Sequence, residues 1–195
     1  MGLFRRKSRD EKPKRHELLD IPLGSMIELS DPITFEISDA ASRTFELTER
    51  KKYEGQSLLR YMYRVEDEDE VVVLGVDRIG GTNEYEISRW IIDGEEELDE
   101  DLPDVITLHY PDPDDEEAEI SVEYVRQEIV PAEMTVVNLL EMETFDAELH
   151  EYTSEDDEMM SVELVGNWLT FYVGESISLS DVNIYPAEDD EEEYM

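Results

Sequence analysis

Fifty-four Asp and Glu residues stand against sixteen Lys and Arg, so whatever chemistry this chain performs has to be sought first among its carboxylates. Asp112, Asp114, Glu116 and Glu123 fall at positions 1, 3, 5 and 12 of a calcium-binding loop. Glu117, however, occupies the position at which that loop needs Gly, and Pro113 lies inside the run, so an EF-hand is rejected. Clustered carboxylates can still hold Ca²⁺ or Mg²⁺ loosely. Asp112, Asp114 and Glu116 form one such group, Asp156, Asp157 and Glu158 a second, and the Glu66–Glu70 run a third; a charge run is more often a solvated face. Pairs of acids for glycoside hydrolysis can be drawn from so many carboxylates that none stands out. His16, His109 and His150 show no ligand-pair spacing, and each reads as a surface or rim residue. With no Cys, thiol catalysis, disulfides and thiolate metal sites are excluded. No nucleophile elbow or phosphate loop is present; Gly80-Gly81 lacks both the Walker spacing and its Lys. Trp90 and Trp168 sit among β-branched or aromatic neighbours and are expected in the core, since a base-stacking platform would want basic residues nearby and only Arg89 qualifies. No catalytic residue and no cofactor is implied.

The charge is unevenly placed. Residues 1–15 hold seven basic residues and two acidic, a net of +5, whereas the remaining 180 hold nine basic and 52 acidic, a net of −43. No Lys or Arg follows Arg126. Such a body repels nucleic-acid phosphate and anionic lipid and attracts cations and basic proteins. Salt adaptation is a competing explanation, but six Ala and an excess of Glu (34) over Asp (20) do not fit the composition expected of a haloarchaeal protein. An apolar fraction of 39%, with ten Tyr, five Phe and two Trp, is enough for a packed core. No run approaches the ~18 apolar residues of a membrane span. No apolar segment follows the N-terminal basic residues, so no secretory signal is read and a cytoplasmic protein is expected.

These side chains have to be positioned by short strands. Ser57–Asp77 is the organising stretch. Leu59, Tyr61, Tyr63 and Val65 share one face at period two, the all-acidic Glu66–Glu70 forms a tip projecting into water, and Val71–Val76 is apolar on both faces, as a central strand requires. Met26–Leu29, Ile33–Ile37, Thr44–Thr48, Tyr85–Ile92 and Ile120–Tyr124 show the same alternation. Asp93-Gly94 is turn chemistry opening a solvated acidic loop, Glu95–Asp101. Val130–Phe145 fits helix and strand patterns, with Thr135-Val136-Val137 tipping it to strand. Ala147–Tyr152, Met159–Val165 and Trp168–Val173 form a meander with an acidic turn at Ser154–Glu158 and a two-residue turn at Gly166-Asn167, and Ile177–Ile184 closes the fold. The expectation is a mainly β protein of antiparallel sheets built from short strands and hairpins, sandwich or barrel-like, with at most one or two short helices. Residues 1–19 read as a basic, disordered arm, 20–187 as an acidic β domain, and 188–195 as an acidic tail. Pro103, Pro111 and Pro113 mark 102–117 as the place where two subdomains would divide. In the arm, Leu3-Phe4 ahead of Arg5-Arg6-Lys7 allows weak contact with an anionic membrane surface. Arg6 stands where myristoylation needs Ser or Thr, and the plainer reading is an arm that folds back on the acidic body.

Three stretches together resemble one family. Ile21-Pro22-Leu23-Gly24-Ser25-Met26-Ile27, the Leu58–Val76 hairpin, and Val162-Glu163-Leu164-Val165 through Val173-Gly174-Glu175-Ser176-Ile177-Ser178-Leu179 are similar to the YjfK-like bacterial domain of unknown function, over about residues 20–186. The resemblance implies an acidic cytoplasmic protein linked to envelope stress, in the neighbourhood of PspA-type membrane-stress proteins and spermidine-synthase-like enzymes. It carries no catalytic motif. Three functions follow from the residues. The first is a non-catalytic module that docks a basic protein, for which the resemblance implies a PspA-like coiled-coil membrane-remodelling protein. The second is a DNA mimic that occupies the site of a nucleic-acid-binding protein. The third is an enzyme or binder for a divalent metal or a polyamine.

Overall fold

The computed structural model describes residues 18–30, 42–79, 82, 84–112 and 115–187, with the backbone alone at 112 and 115–118. The expected strand Ile33–Ile37, most of the Gly80–Asn83 turn, the arm ahead of Leu18 with His16 and its apolar-basic start, and the acidic tail lie outside the described residues. In chain order the strands are β1 (Met26–Leu29), β2 (Arg43–Glu54), β3 (Leu59–Glu66), β4 (Val71–Arg78), β5 (Tyr85–Glu97), β6 (Val105–Asp112), β7 (Asp115–Asn138), β8 (Met142–Thr153), β9 (Met159–Val165), β10 (Trp168–Ile177) and β11 (Val182–Tyr185). A single 3-10 turn, Leu179–Asp181, precedes β11, and no α-helix occurs among the described residues. No helix there is long and apolar enough to cross a membrane.

All eleven strands join one sheet in the order β11-β1-β2-β3-β4-β5-β10-β9-β8-β7-β6, every pair antiparallel. An additional antiparallel pairing of β2 with β7, from Glu49↔Asn138 to Glu54↔Glu133, closes the path. Two four-strand meanders, β2–β5 and β7–β10, are thereby stitched together along both sides into an eight-strand circuit. The remaining strands lie outside it: β1 and β11 continue the sheet from the first half of β2, and β6 lies along the first half of β7. Closure of this kind removes the edges that the two meanders would otherwise leave where β2 meets β7 and β5 meets β10.

The strands alternate, but both of their faces are covered. On β3, Tyr61, Tyr63 and Val65 belong to an outer core with Phe45, Leu47, Val72, Leu74, Val76 and the N-terminal Leu18 and Ile21, while Met62 between them points into the circuit. The inner core joins Tyr53, Met62, Val73, Trp90, Met134, Leu149 and Tyr172 from strands of both meanders. A third cluster, Tyr124, Tyr152, Met160, Val162 and Leu169, lies outside the second meander beneath the Leu98–Leu108 segment. Leu18 is fully buried and its carbonyl accepts the Tyr63 hydroxyl at 2.8 Å, so the packed fold begins inside the stretch that charge alone assigns to the arm.

Trp90 is accommodated by two glycines on flanking strands. A Cβ at Gly75 on β4 would stand 2.5 Å from the indole Nε1, and one at Gly174 on β10 would stand 2.5 Å from Cε3. Only bare backbone leaves room for the ring, whose Nε1 donates to Ser88 Oγ at 2.6 Å.

Several local expectations are corrected. Some strands run longer than local alternation suggests: β7 runs 24 residues and β5 thirteen. Asp93-Gly94 makes no hairpin and Glu95–Glu97 no loop. That run is the end of β5, paired with β10, and the register shift opposite Phe171/Tyr172 absorbs the extra residue. The turn within Val130–Phe145 falls at Leu139–Glu141. Trp168 is 49% exposed rather than packed in the core. His150 is the reverse case, a residue read as surface that is only 6% exposed.

Candidate functional site

The inner face of the circuit carries charge as well as apolar packing. Lys51 on β2 reaches Glu163 on β9, with Nζ 2.9 Å from Oε1, and donates also to the Tyr172 hydroxyl on β10 at 3.0 Å. Tyr53, two residues along the same face of β2, donates to the other oxygen of Glu163. Glu163 is buried, so its charge depends on these donors rather than on water. Burial opposes the Lys51 charge, yet the facing Tyr172 oxygen and the Glu163 carboxylate outweigh it and hold the ammonium above the ordinary lysine range. Burial pushes the Tyr172 phenol up to about 12 and the Tyr53 phenol well above its usual value.

Nearby on the same inner face, Arg60 on β3 is clamped from two sides. Its Nε lies 2.7 Å from Asp77 Oδ1 on β4 and its Nη1 lies 2.6 Å from Glu151 Oε1 on β8. Ser161 donates to the same Glu151 oxygen at 3.1 Å. The guanidinium sits 5.9 Å from the centroid of Trp90, on the electron-rich face. Burial works against the charge, but the two carboxylates more than offset it and raise the Arg60 pKa. Where this interior meets solvent, Glu49, Lys51, Met62, Arg64, Glu95 and Tyr172 border a cleft of about 210 Å³.

The two cations and two phenols of this interior are not poised for proton transfer near neutrality. Lys51 and Arg60 stay cationic and Tyr53 and Tyr172 stay neutral, each fixed to a partner, whereas a general acid or base works best with a pKa near the operating pH. The arrangement pairs two cations with the three carboxylates of Asp77, Glu151 and Glu163 and ties β2, β3 and β4 to β8, β9 and β10.

Of the acid groups singled out from the sequence, the first lies outside the described side chains: the Asp112 backbone ends β6 opposite Asp115, and the side chains of Asp112 and Glu116 and all of Asp114 are not described. Asp156, Asp157 and Glu158 form the β8–β9 turn. The Ser154 hydroxyl accepts from the backbone N–H of Asp156 and of Glu158, Asp157 adopts a left-handed φ of 63°, and the Glu158 carboxylate accepts the Tyr124 hydroxyl at 2.9 Å. The turn is thus braced by its own contacts. Among the described residues no three His, Asp or Glu side chains converge as a metal site would require. The Glu66–Glu70 tip does not simply project into water. Asp67 and Glu70 clasp Arg43, and Asp67 also accepts from the backbone N–H of Asp69 and of Glu70. His109 meets Ser121 at 2.9 Å, while His150 makes no hydrogen bond among the described residues, its Nε2 lying 3.5 Å from Glu148.

Eight of the nine Lys and Arg residues that follow residue 15 are spent internally. Arg43, Arg50, Lys51, Lys52, Arg60, Arg64, Arg89 and Arg126 each hold a carboxylate of the same chain within 4.0 Å. The surplus of acids therefore faces outward. One part of the exterior differs. At the β7–β8 turn Leu139 and Met142 are 72% exposed and Leu140 is 94% exposed, a greasy tip beside Glu141 and Glu143. Sequence reasoning missed both features. Arg60 and Glu163 occupy the polar positions of alternating strands, which read as solvent-facing until the sheet is known to close, and Lys51 lies beyond the alternation that ends at Thr48. Leu139-Leu140 lies in the Val130–Phe145 run that fits helix and strand patterns, and turn apices are rarely apolar.

Fold and site together define a closed antiparallel β protein with an internally ion-paired polar interior and an acidic exterior. No family model, no curated protein and no solved structure matches the chain.

Proposed function

We propose that the protein is a non-catalytic interaction module whose acidic exterior docks a basic partner protein. The observation that carries this reading is the internal use of the body's cations: eight of the nine pair with carboxylates of the same chain, in a body that keeps a net charge of −43. An uncompensated field of one sign speeds encounter with oppositely charged surfaces and repels like-charged ones. The interior supports the same reading, because its polar groups are saturated by one another. The resemblance to the YjfK-like family makes a PspA-type coiled-coil protein the first partner to examine. The test is affinity capture with the full chain from its native host at two ionic strengths. A basic protein should be retained at low salt and released at moderate salt, since exposed charges separated by more than ~8 Å are screened at physiological salt. A retained partner indifferent to salt, or no basic partner at either salt, overturns the reading.

A further inference from the structure

β8 has two edges of unequal status. One pairs with β7 along Met142–Thr153, whereas the other pairs with β9 only along Glu148–Thr153. The cause is local: β9 ends at Val165 and turns back at Gly166-Asn167, so it never reaches the first half of β8. Among the described residues, Met142–Ala147 therefore presents an edge with no neighbouring strand. Alternate residues along such an edge direct both N–H and C=O outward and offer a ready ladder to an incoming strand. Met142–Asp146 is exposed throughout.

The surroundings select what pairs there. Where β9 departs, a depression of about 490 Å³ is lined by Pro131, Ala147 and Leu164 together with Glu133, Asp146 and Glu148. At the other end stands the apolar tip Leu139, Leu140 and Met142, and its turn is fixed: Asn138 Oδ1 accepts from the backbone N–H of Leu140 at 2.9 Å and of Glu141 at 3.1 Å. Apolar side chains held out by a braced turn are an anchor rather than a frayed end. The strand edge itself carries Glu143 and Asp146, and no Lys or Arg follows Arg126 in the chain. Like charges facing each other across a ladder are unfavourable, so two copies of this edge repel, while a cationic strand is drawn in. The outer strand β6 also has one neighbour, but it runs into Pro111, which has no N–H to donate.

We propose that the unpaired β8 edge, Met142–Ala147, binds an extended cationic segment of a partner protein as an added antiparallel or parallel strand, with alternate apolar side chains of that segment packing against the Leu139–Met142 tip. This rests on the reading of the exterior as a docking surface for basic proteins and specifies where and in what backbone form the partner is held. Main-chain hydrogen bonds supply affinity in this mode and alternate side chains supply selectivity.

The test uses the full chain and a fluorescent heptapeptide of alternating Lys and Val, read by anisotropy at low salt. Two further versions are N-methylated at alternate backbone nitrogens, one in each phasing, which leaves the charge unchanged. The unmodified peptide should bind and should slow amide exchange at Met142–Ala147. One methylated version should lose at least about tenfold in affinity and the other should keep it, because only one set of N–H groups faces β8. Equal binding by all three peptides overturns the added strand while leaving the basic-partner reading intact, since charge alone would then hold the peptide. Absence of binding by any of them also overturns the added strand, and the broader reading then stands or falls on the affinity capture. Slow exchange at Met142–Ala147 in the free chain that is lost on removing residues 1–15 would make the chain's own arm the occupant and overturn the assignment to a partner.

Discussion

The inside of the strand circuit and the rim at the β7–β8 turn draw on the same residue types and use them in opposite ways. Inside, Lys51, Arg60, Glu151 and Glu163 are bound to one another across strands that are more than a hundred residues apart in sequence for the Lys51–Glu163 pair. At the rim, Glu141, Glu143 and Asp146 face solvent beside Leu139, Leu140 and Met142, which have nothing to pack on. The difference follows from solvation. A buried charge without a partner costs several kcal/mol, so the fold exists only if each is matched, whereas an exposed carboxylate costs almost nothing to leave alone. Matched charge inside holds the fold, and unmatched charge with exposed apolar surface outside is available for contact.

The largest effect should come from breaking the match at Arg60. Arg60→Met leaves Asp77 and Glu151 facing a methionine, and loss of one member of a buried charged set costs about 3–5 kcal/mol. A urea titration should show the midpoint collapse; a midpoint within experimental error of the parent would mean that water already solvates these carboxylates. Next in size is Lys51→Met, which strips Glu163 of its cation but leaves the Tyr53 hydroxyl in place. Its cost should exceed that of Glu163→Gln, which retains an acceptor for both Lys51 and Tyr53, and comparing the two midpoints checks the order.

Gly174→Ala probes the apolar half of the same interior. The new Cβ would fall 2.5 Å from both the Arg89 carbonyl and the Trp90 ring, and backbone on β5 cannot yield as a flexible side chain would. Overpacking of this kind costs about 1–3 kcal/mol. Pairing it with Trp90→Phe, which shortens the ring, should recover part of the loss. If the loss is unchanged, the carbonyl rather than the indole sets the limit.

These interior contacts mark the limit of what the residue pattern conveys. The hairpin of β3 and β4 was legible because Tyr61, Tyr63 and Val65 alternate and Val72, Leu74 and Val76 answer them with a central apolar run, a local signal that the register confirms. The β9–β10 turn at Gly166-Asn167 was legible for the same reason, Gly166 supplying a φ of 64°. Closure was not. It depends on Glu49–Glu54 meeting Glu133–Asn138, a non-local match in which neither run carries a distinctive side chain. Without closure Arg60 and Glu163 count as the wet side of half-buried strands, and the interior network disappears from view. The exposure of Leu139-Leu140 was not legible either, because hydrophobicity predicts burial only on average. The candidate docking edge depends on where β9 stops, which no residue of β8 announces.

His150 tests the boundary between the two regimes by pH. It lies on the outer face of β8 opposite Ile129 and Val162, and burial is the main cause that holds its pKa below the ordinary 6.5; the Glu148 carboxylate pulls the other way and Arg126 assists the lowering. Since the folded value is the lower one, the unfolded chain takes up the proton first as pH falls. This contribution is intact above the unfolded pKa of about 6.5 and is lost progressively as pH drops toward the folded value. Acid also titrates many carboxylates, so the quantity to measure is the difference between the parent and His150→Leu. The urea midpoint of the variant should fall less than that of the parent between about pH 7.5 and pH 5.5. Parallel falls would place the ring in water.

The smallest effect on stability is expected where exposure is greatest. Leu140→Ser and Met142→Ser remove apolar side chains that the fold does not bury, and surface substitutions away from special features change stability by less than about 0.5 kcal/mol. The Asn138 brace survives both changes, because it holds backbone N–H groups rather than side chains. The double variant should therefore unfold at the parent's urea concentration while binding the cationic heptapeptide several-fold more weakly. That pairing of unchanged stability with weakened binding is the mirror image of Arg60→Met, which should unfold the chain while touching no residue of the rim. If the double variant instead unfolds early, the leucines are packed on something in solution and the tip belongs with the interior.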